Sequence, residues 1–431
     1  MSQADTDNAG PPKGIGLMAR REMRLAYGML APTFIIVLAI VLGPLLANFW
    51  ISMKPVKLAD LRPASISINE RLRGKIEKPG DSATLDYRLR NSSRDKAIAA
   101  AGFVDTLPPG LTISEVPEIC SLAGSTLTCR LGDVEGGYRD RLRIPVTGDA
   151  SYVADPVNPR NSKPVVSGEA QNILTNFEFT GENFAKIFSS HEFWTVLKVS
   201  MYYTIFGTVG ALVLGLFAAQ LLNTAFAGRN ILRGLFLFPY VAPVIAVAFT
   251  WVVLLDPFSG TLNSILLQMG AIDGPINFFG QRAVTLSFFG ISFDFPVALT
   301  TVIAFEAWRY FPLSFLFILA RMQSVSGEMY EAAEIDGATP LQQFWYISLP
   351  QLVGILAVLF LLRFIWTFNK FDDIFLLTGG AAGTRTLTVD VYEQAFAVSN
   401  LGAGAAVAVV VFFVLLTFSI LFFWLSPKDE A

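Results

Sequence analysis

The 431-residue sequence predicts an α-helical polytopic membrane protein of six transmembrane helices, with a β-sandwich domain inserted after the first. Three observations lead there. Hydrophobic residues make up 53% of the chain and charged ones 16%, against about a quarter charged in soluble domains. The charges are unevenly spread, since residues 54–192 hold 36 of the 67. Outside that segment, apolar runs long enough to cross a bilayer recur along the chain. One His and two Cys exclude a His/Cys metal centre and a multi-His catalytic site. A net charge of −3 gives no electrostatic footprint for nucleic acid.

Residues 1–26 read as a cytoplasmic tail whose first dozen residues are polar, Gly- and Pro-containing and expected to be disordered. Arg20, Arg21 and Arg24 precede the first span, 27–53. Its apolar core is too long for a signal peptide and no A-x-A site follows, so it is expected to remain as an anchor. Residues 54–190 read as the external domain and 191–431 as a helical core. Within that core, spans are expected at 199–222, 231–255, 297–320, 351–377 and 404–425. The run 351–377 is interrupted by Arg363, Asn369, Lys370, Asp372 and Asp373. Residues 257–296 are too broken by Gly, Pro and charge to span, and read as loops with an amphipathic surface segment. Lys13, Arg20, Arg21, Arg24, Arg229, Arg233, Arg321 and Lys428 fall on one side of the membrane, against Arg282 and Arg385 in the short loops of the other. Positive charge marks the cytoplasmic side, which puts both termini and the loop 321–350 inside and the β domain outside.

In the inserted domain, Ser65–Ile68, Thr84–Leu89, Thr126–Cys129 and Leu142–Val146 alternate polar and apolar residues, with turn signals at Pro79-Gly80, Pro108-Pro109-Gly110 and Gly136-Gly137. That is the rhythm of a small β-sandwich. Cys120 and Cys129 both lie here. In an oxidising compartment they would form one disulfide, worth about 2–3 kcal/mol by closing a short loop; two unpaired thiols are the alternative. The stretch Phe103–Thr112, followed by the Cys pair, resembles the short immunoglobulin-like repeat domains of bacterial surface proteins.

After the fourth span comes Glu331-Ala332-Ala333-Glu334-Ile335-Asp336-Gly337-Ala338, then Phe344, Ile347, Leu349 and Pro350. Its composition predicts a short helix with a small-residue face, broken by the Gly, and a second short amphipathic helix stopped by Pro. Small side chains allow close approach and the acidic ones offer ion pairs to a basic partner; an ordinary loop helix is the plainer reading. The pattern Glu-Ala-Ala, three residues, Gly, then Ile-x-Leu-Pro resembles the EAA loop of ATP-binding-cassette importer permeases. The resemblance implies a coupling helix carried by Glu331, Ala332, Ala333, Asp336, Gly337, Leu349 and Pro350, docking on a homodimeric cytoplasmic ATPase.

Phe236–Pro243, Trp251 with Asp256-Pro257, Gly260–Asn263 and Phe368–Gly380 extend the likeness over roughly 180–425. Together they resemble the MalF-type branch of carbohydrate permeases. That likeness implies a type I ABC importer fold in the bacterial inner membrane, paired with a second, MalG-like permease around a mid-membrane cavity. It implies a periplasmic sugar-binding protein as donor, ATP and Mg held by the ATPase, and no cofactor on this chain. Two features depart from the pattern. Ala381-Ala382-Gly383 stands where relatives often carry Gly-Pro, and the large insertion follows the first span, unlike that of the maltose permease.

Ionisable groups at membrane depth are costly and therefore candidates for function. Glu306 and Arg309 lie three residues apart in the fourth span, beside Tyr310. They read either as a self-neutralising pair holding helices together or as a polar lining for sugar hydroxyls. Carried over from the maltose-type permeases, substrate contacts fall on Tyr240, Glu306, Arg309, Tyr310, Trp366, Thr367 and Lys370. Val244 and Leu313 also align with contact positions but offer no polar group. A flat aromatic face beside hydroxyl, carboxylate and cationic groups suits a polyhydroxylated ring, although Trp366 also reads as a packing or lipid-facing residue. On that basis Glu306→Ala and Trp366→Ala are expected to abolish uptake without lowering membrane levels.

No G-x-x-x-x-G-K-[ST] loop occurs, so the chain reads as a non-catalytic transport subunit. The expected function is a permease subunit for a di- or oligosaccharide such as an α-glucoside. A polyol, glycerol phosphate or other polar solute is the alternative within transport, and a membrane-anchored adhesion protein the alternative outside it.

Overall fold

The computed structural model describes residues 17–288 and 291–425; Lys13, Lys428 and the expected disordered tail lie outside the described residues. The chain divides into two compact units. One comprises Lys54–Gly181 with Gln394–Gly402, the other Met1–Met53, Glu182–Glu393 and Ala403–Ala431.

The first unit is built from β1 (Ile66–Arg73), β2 (Ser82–Asn91), β3 (Ile98–Thr106), β4 (Leu111–Ile113), β5 (Cys120–Ala123), β6 (Thr126–Val134), β7 (Arg139–Gly148) and β8 (Val165–Glu169). They form two four-stranded sheets, ordered β1-β2-β7-β4 and β5-β6-β3-β8. Period-two alternation sends Leu85, Tyr87 and Leu89 of β2, Phe103 of β3, Leu127 of β6 and Ile144 and Val146 of β7 into one shared core. The alternating stretches of the sequence coincide with β1, β2, β6 and β7. The other four strands carry weaker signals: β3 begins Ile-Ala-Ala-Ala-Gly and is irregular against β6 between Ile98 and Gly102. Cys120 and Cys129 pair across the β5–β6 hairpin and form a disulfide.

Two boundaries differ from expectation. Glu182–Ser189 is helical and belongs with the other unit, because Asn183 donates to the Ser52 carbonyl (2.9 Å) and Ile187 packs with Phe193, Val196 and Phe364. Conversely, residues 394–402 join the β unit through backbone bonds from Leu58 to Ser399 and from Gly402 to Val56, both 2.9 Å.

The second unit contains α1 (Met18–Ser52), α2 (Glu182–Ser189), α3 (His191–Asn223), α4 (Arg229–Val241), α5 (Val244–Leu254), α6 (Thr261–Gln268), a hairpin of β9 (Val284–Phe288) and β10 (Ile291–Phe295), α7 (Val297–Gln323), α8 (Gly327–Ile335), α9 (Pro340–Phe368), α10 (Asp372–Leu377), α11 (Leu387–Tyr392) and α12 (Leu401–Leu425). Among the described residues, α1, α3, α7, α9 and α12 are long and apolar enough to cross a membrane. The hairpin occupies the region expected to hold an amphipathic surface segment.

Helices α3 and α7 run parallel at close range along a glycine stripe. A Cβ on Gly207 would sit 2.9 Å from Glu306 Cγ, one on Gly210 2.9 Å from Ala307 Cβ, and one on Gly215 2.6 Å from Ser314 Cβ. In hydrocarbon, where no water is released by association, helices adhere by such close packing.

Three expectations about the helices need correction. Residues 231–255 are not one straight span, because α4 and α5 meet at 92°. Pro243 forces Ala242 out of the helical region, to φ −64° and ψ 143°, and cannot continue the hydrogen-bond ladder. The run 351–377 is likewise not one helix: α9 ends at Phe368, and α10 starts afresh with Asp372 and Asp373 in its first turn. Pro350 does not stop a second loop helix. The chain widens to π spacing over Phe344–Ser348 and continues, leaving Pro350 in the first turn of the regular segment, where a missing N–H costs nothing.

Candidate functional site

The breaks in the helices create polar groups inside the apolar unit, and a cluster of charged side chains gathers around them. Glu306 of α7 is fully buried. It accepts from Arg363 Nη2 (2.7 Å) and Thr367 Oγ1 (2.9 Å) of α9 through one oxygen, and from Tyr203 Oη (2.9 Å) of α3 through the other. One carboxylate thus joins three helices. A buried charge is tolerable only when paired and hydrogen-bonded, and Glu306 is both.

One turn further on, Arg309 points at the α4–α5 break. Its guanidinium donates to the carbonyls of Pro239 (3.4 Å) and Ala242 (3.2 Å). Those are carbonyls the prolines release from the helical ladder, and in hydrocarbon they need a donor from elsewhere in the protein. Arg309 Nε and Lys370 Nζ each lie 3.9 Å from a carboxylate oxygen of Asp373, which is fully buried. Tyr310 sits among the cations: Lys370 Nζ is 4.1 Å from its ring centroid and donates to its hydroxyl, and the Arg363 guanidinium carbon is 4.5 Å from the ring.

The seven carried-over substrate positions therefore divide. Glu306, Arg309 and Thr367 are buried among other helices of this chain. Tyr310 and Lys370 are partly covered, while Tyr240 and Trp366 are 40% and 50% exposed. Tyr240 and Tyr310 stack edge to face at 6.0 Å, so the accessible part of the cluster is an aromatic pair with an ammonium beside it. Glu306 and Arg309 are not each other's partners, because each has a closer one on another helix. The expectation that Glu306→Ala leaves membrane levels unchanged is accordingly revised. Truncation would strip Arg363, Thr367 and Tyr203 of a shared acceptor.

Arg363, Asp373 and Tyr203 complete the cluster and were absent from the carried-over set. The charges at 363 and 373, inside an otherwise apolar run, were a usable signal; a single tyrosine in α3 was not.

The loop with the Glu-Ala-Ala pattern is helical over α8. Ala338 N–H bonds to Ala333 O (2.9 Å) and Gly337 N–H to Glu334 O (3.0 Å), a Schellman ending that needs a left-handed residue, and Gly337 has φ +78°. Glu331, Ala332, Asp336 and Gly337 are exposed and Ala333 half-buried. Ile335, Leu341 and Tyr346, at 86%, 67% and 80% exposure, surround the acidic face with uncovered apolar surface. Tyr330 Oη and Ser348 Oγ, 3.0 Å apart, tie α8 to the base of α9; Leu349 and Pro350 follow in that helix.

A helical unit with broken spans, a buried charge cluster and an exposed loop helix is consistent with an importer permease. Residues 211–428 match the family described as binding-protein-dependent transport system inner membrane component. The chain belongs to that family and is a non-catalytic transport subunit embedded in the membrane. It is 34% identical over 267 residues to the inner membrane ABC transporter permease protein YcjO of Escherichia coli, covering 62% of this chain and 82% of the relative. It is 33% identical to the trehalose/maltose transport system permease protein MalF of Thermococcus litoralis (56% and 77% covered). Identity to the sn-glycerol-3-phosphate transport system permease protein UgpA of Agrobacterium fabrum is 30% (53% and 73%). Among solved structures, a bacterial ABC transporter importing the acidic polysaccharide alginate shares the fold, with TM-score 0.50, 20% identity, and 59% and 86% covered.

Proposed function

We propose that this chain is the MalF-type permease subunit of an ATP-driven importer for a sugar of di- or oligosaccharide size. The observation that carries the reading is the accessible edge of the charge cluster. Tyr240 and Tyr310 offer ring faces and hydroxyls, Trp366 a further ring, and Lys370 a donor, within spans that otherwise expose hydrocarbon side chains. A relative named for trehalose/maltose transport supports it.

In this reading α4 and α5 together make the sixth span, both termini are cytoplasmic, and residues 54–181 form an immunoglobulin-like sandwich in the periplasm of a bacterial inner membrane. A periplasmic binding protein delivers the sugar, and a second, MalG-like permease completes the cavity. Helix α8 docks on a homodimeric ATPase that binds ATP and Mg. Glu331, Glu334 and Asp336 meet basic groups there while Ile335, Leu341 and Tyr346 become buried. Residues such as Glu306, Arg309 and Thr367 act by holding α3, α4, α7 and α9 in register.

A phosphorylated or acidic solute is the second reading. The cluster holds three cations (Arg309, Arg363, Lys370) against two carboxylates (Glu306, Asp373), and one relative is named for glycerol phosphate. Uptake of radiolabelled maltose, trehalose and glycerol 3-phosphate by cells expressing the complete transporter separates the two. Trp366→Ala and Tyr310→Ala should raise KM for the transported sugar about tenfold with membrane levels unchanged. Unaltered kinetics in both variants would remove these residues from the path. For the coupling loop, Gly337→Asp should release the ATPase on copurification, and retained ATPase with full transport would refute the docking.

A further inference from the structure

Away from the charge cluster, a crevice of about 550 Å³ opens between the start of α3, the first turns of α7 and the loop at Ala382-Gly383. Along α3 its wall is formed by Thr195, Lys198, Tyr202 and Phe206, spacings of three and four residues that keep them on one face. Leu299 and Ile303 of α7 form the opposite wall. Arg282 closes the top and packs on Gly383, where a Cβ would stand 3.3 Å from the arginine Cγ and Nε.

Two chemistries are stacked in this crevice. Lys198 and Arg282 are exposed, and neither side chain forms an ion pair or hydrogen bond among the described residues. No carboxylate lines the cavity. Tyr202 and Phe206, each 54% exposed, lie four and eight residues beyond Lys198, about 6 and 12 Å along the helix axis. Lys198 also stands at the edge of the apolar run of α3, the depth at which cations meet the headgroup layer. A free anion would satisfy the two cations and leave the apolar walls uncovered. A neutral hydrocarbon would cover the walls and leave the cations unpaired. Only an amphiphile with a negative head and an apolar tail meets both demands.

We propose that this crevice is a binding site for a membrane phospholipid with an anionic headgroup, its phosphate between Lys198 and Arg282 and one acyl chain along Tyr202, Phe206 and Ile303. The site does not depend on which solute the permease carries.

The full-length chain, purified in detergent alone and with its copurifying subunits, is titrated with phosphatidylglycerol, with phosphatidylcholine of the same acyl chains, and with inorganic phosphate, reading the thermal unfolding midpoint. Phosphatidylglycerol should raise the midpoint at concentrations at least fivefold below those of phosphatidylcholine, and phosphate should have no effect. Lys198→Gln with Arg282→Gln should abolish the preference at least fivefold while leaving the lipid-free midpoint unchanged. Ile303→Trp, which fills the crevice but keeps both cations, should lose the response as well, and it serves if the double variant folds poorly. Four results would overturn the proposal: an unchanged phosphatidylglycerol response in these variants, an equal response to phosphatidylcholine, the same response to phosphate alone, or a response confined to the isolated chain. The third would make the crevice a free-anion site, and the last an interface with another subunit.

Discussion

The helical unit and the β unit each bury a glutamate almost completely, Glu306 in one and Glu70 in the other. Glu306 has an arginine at 2.7 Å and two hydroxyl donors. Among the described residues the Glu70 carboxyl accepts only from Ser162 Oγ (3.0 Å), while Asp105, itself buried and bound by Tyr87 Oη (2.6 Å), adds a like charge. Burial first, and then Asp105, push the Glu70 carboxyl up to about 7, with the Ser162 hydrogen bond opposing. The same residue type is therefore neutralised in two ways. In the apolar unit a cation from a neighbouring helix does it, which ties three helices together. In the β unit a proton does it, which water supplies at near-neutral pH. The pair organises architecture; the proton makes stability depend on pH.

The largest effect should come from breaking the pair. Glu306→Ala leaves Arg363 as an uncompensated buried charge, costing about 3–5 kcal/mol. Folded chain recovered from membranes should fall sharply, and Glu306→Ala with Arg363→Met should restore much of it. Recovery equal to wild type in the single variant would mean that the cluster does not hold the helices.

Next is the disulfide. Cys120→Ser with Cys129→Ser should destabilise the β unit by about 2–3 kcal/mol, read as faster hydrogen exchange in β5 and β6 of the intact chain, with exchange in α3 and α7 unaffected. Gly215→Leu should cost about 1–3 kcal/mol by overpacking against Ser314, visible as a lower unfolding midpoint, while the exposed Gly354 of α9, where a Cβ meets nothing within 4 Å, should tolerate alanine.

The smallest effect is the proton switch. A carboxyl raised from its ordinary 4.5 to about 7 on folding favours the acid form of the native state. Its stabilisation is complete below about 4.5 and is lost as pH rises through about 7. The opening free energy of β1 and β2 from hydrogen exchange, corrected for the intrinsic pH dependence of exchange, should fall between about pH 4.5 and 7, and Glu70→Gln should flatten that dependence. An identical pH profile in the variant would show that Glu70 does not carry it.

Much of this was legible in the residues. Length of apolar run, period-two alternation and the Glu-Ala-Ala pattern are local properties, so α1, α3, α7, α12, four strands and the loop helix could be placed directly. The strand β3 could not, because an Ala-rich start with an irregular register is recognisable only against its partners β6 and β8. The break between α4 and α5 was visible as Pro243, but a 92° turn depends on what receives the freed carbonyls, and Arg309 is supplied from 66 residues further along the chain.

By itself the sequence determined that the chain is a membrane permease with a charged, β-rich insertion, because hydropathy, alternation and short motifs act over a few turns of chain. The tertiary structure alone decided how the intramembrane charges are shared. It took Glu306 from Arg309 and gave it to Arg363, Thr367 and Tyr203, and it left Tyr240, Tyr310, Trp366 and Lys370 as the reachable groups. Charge partners in a low-dielectric interior are chosen by distance in space, and helices remote in sequence bring those distances about.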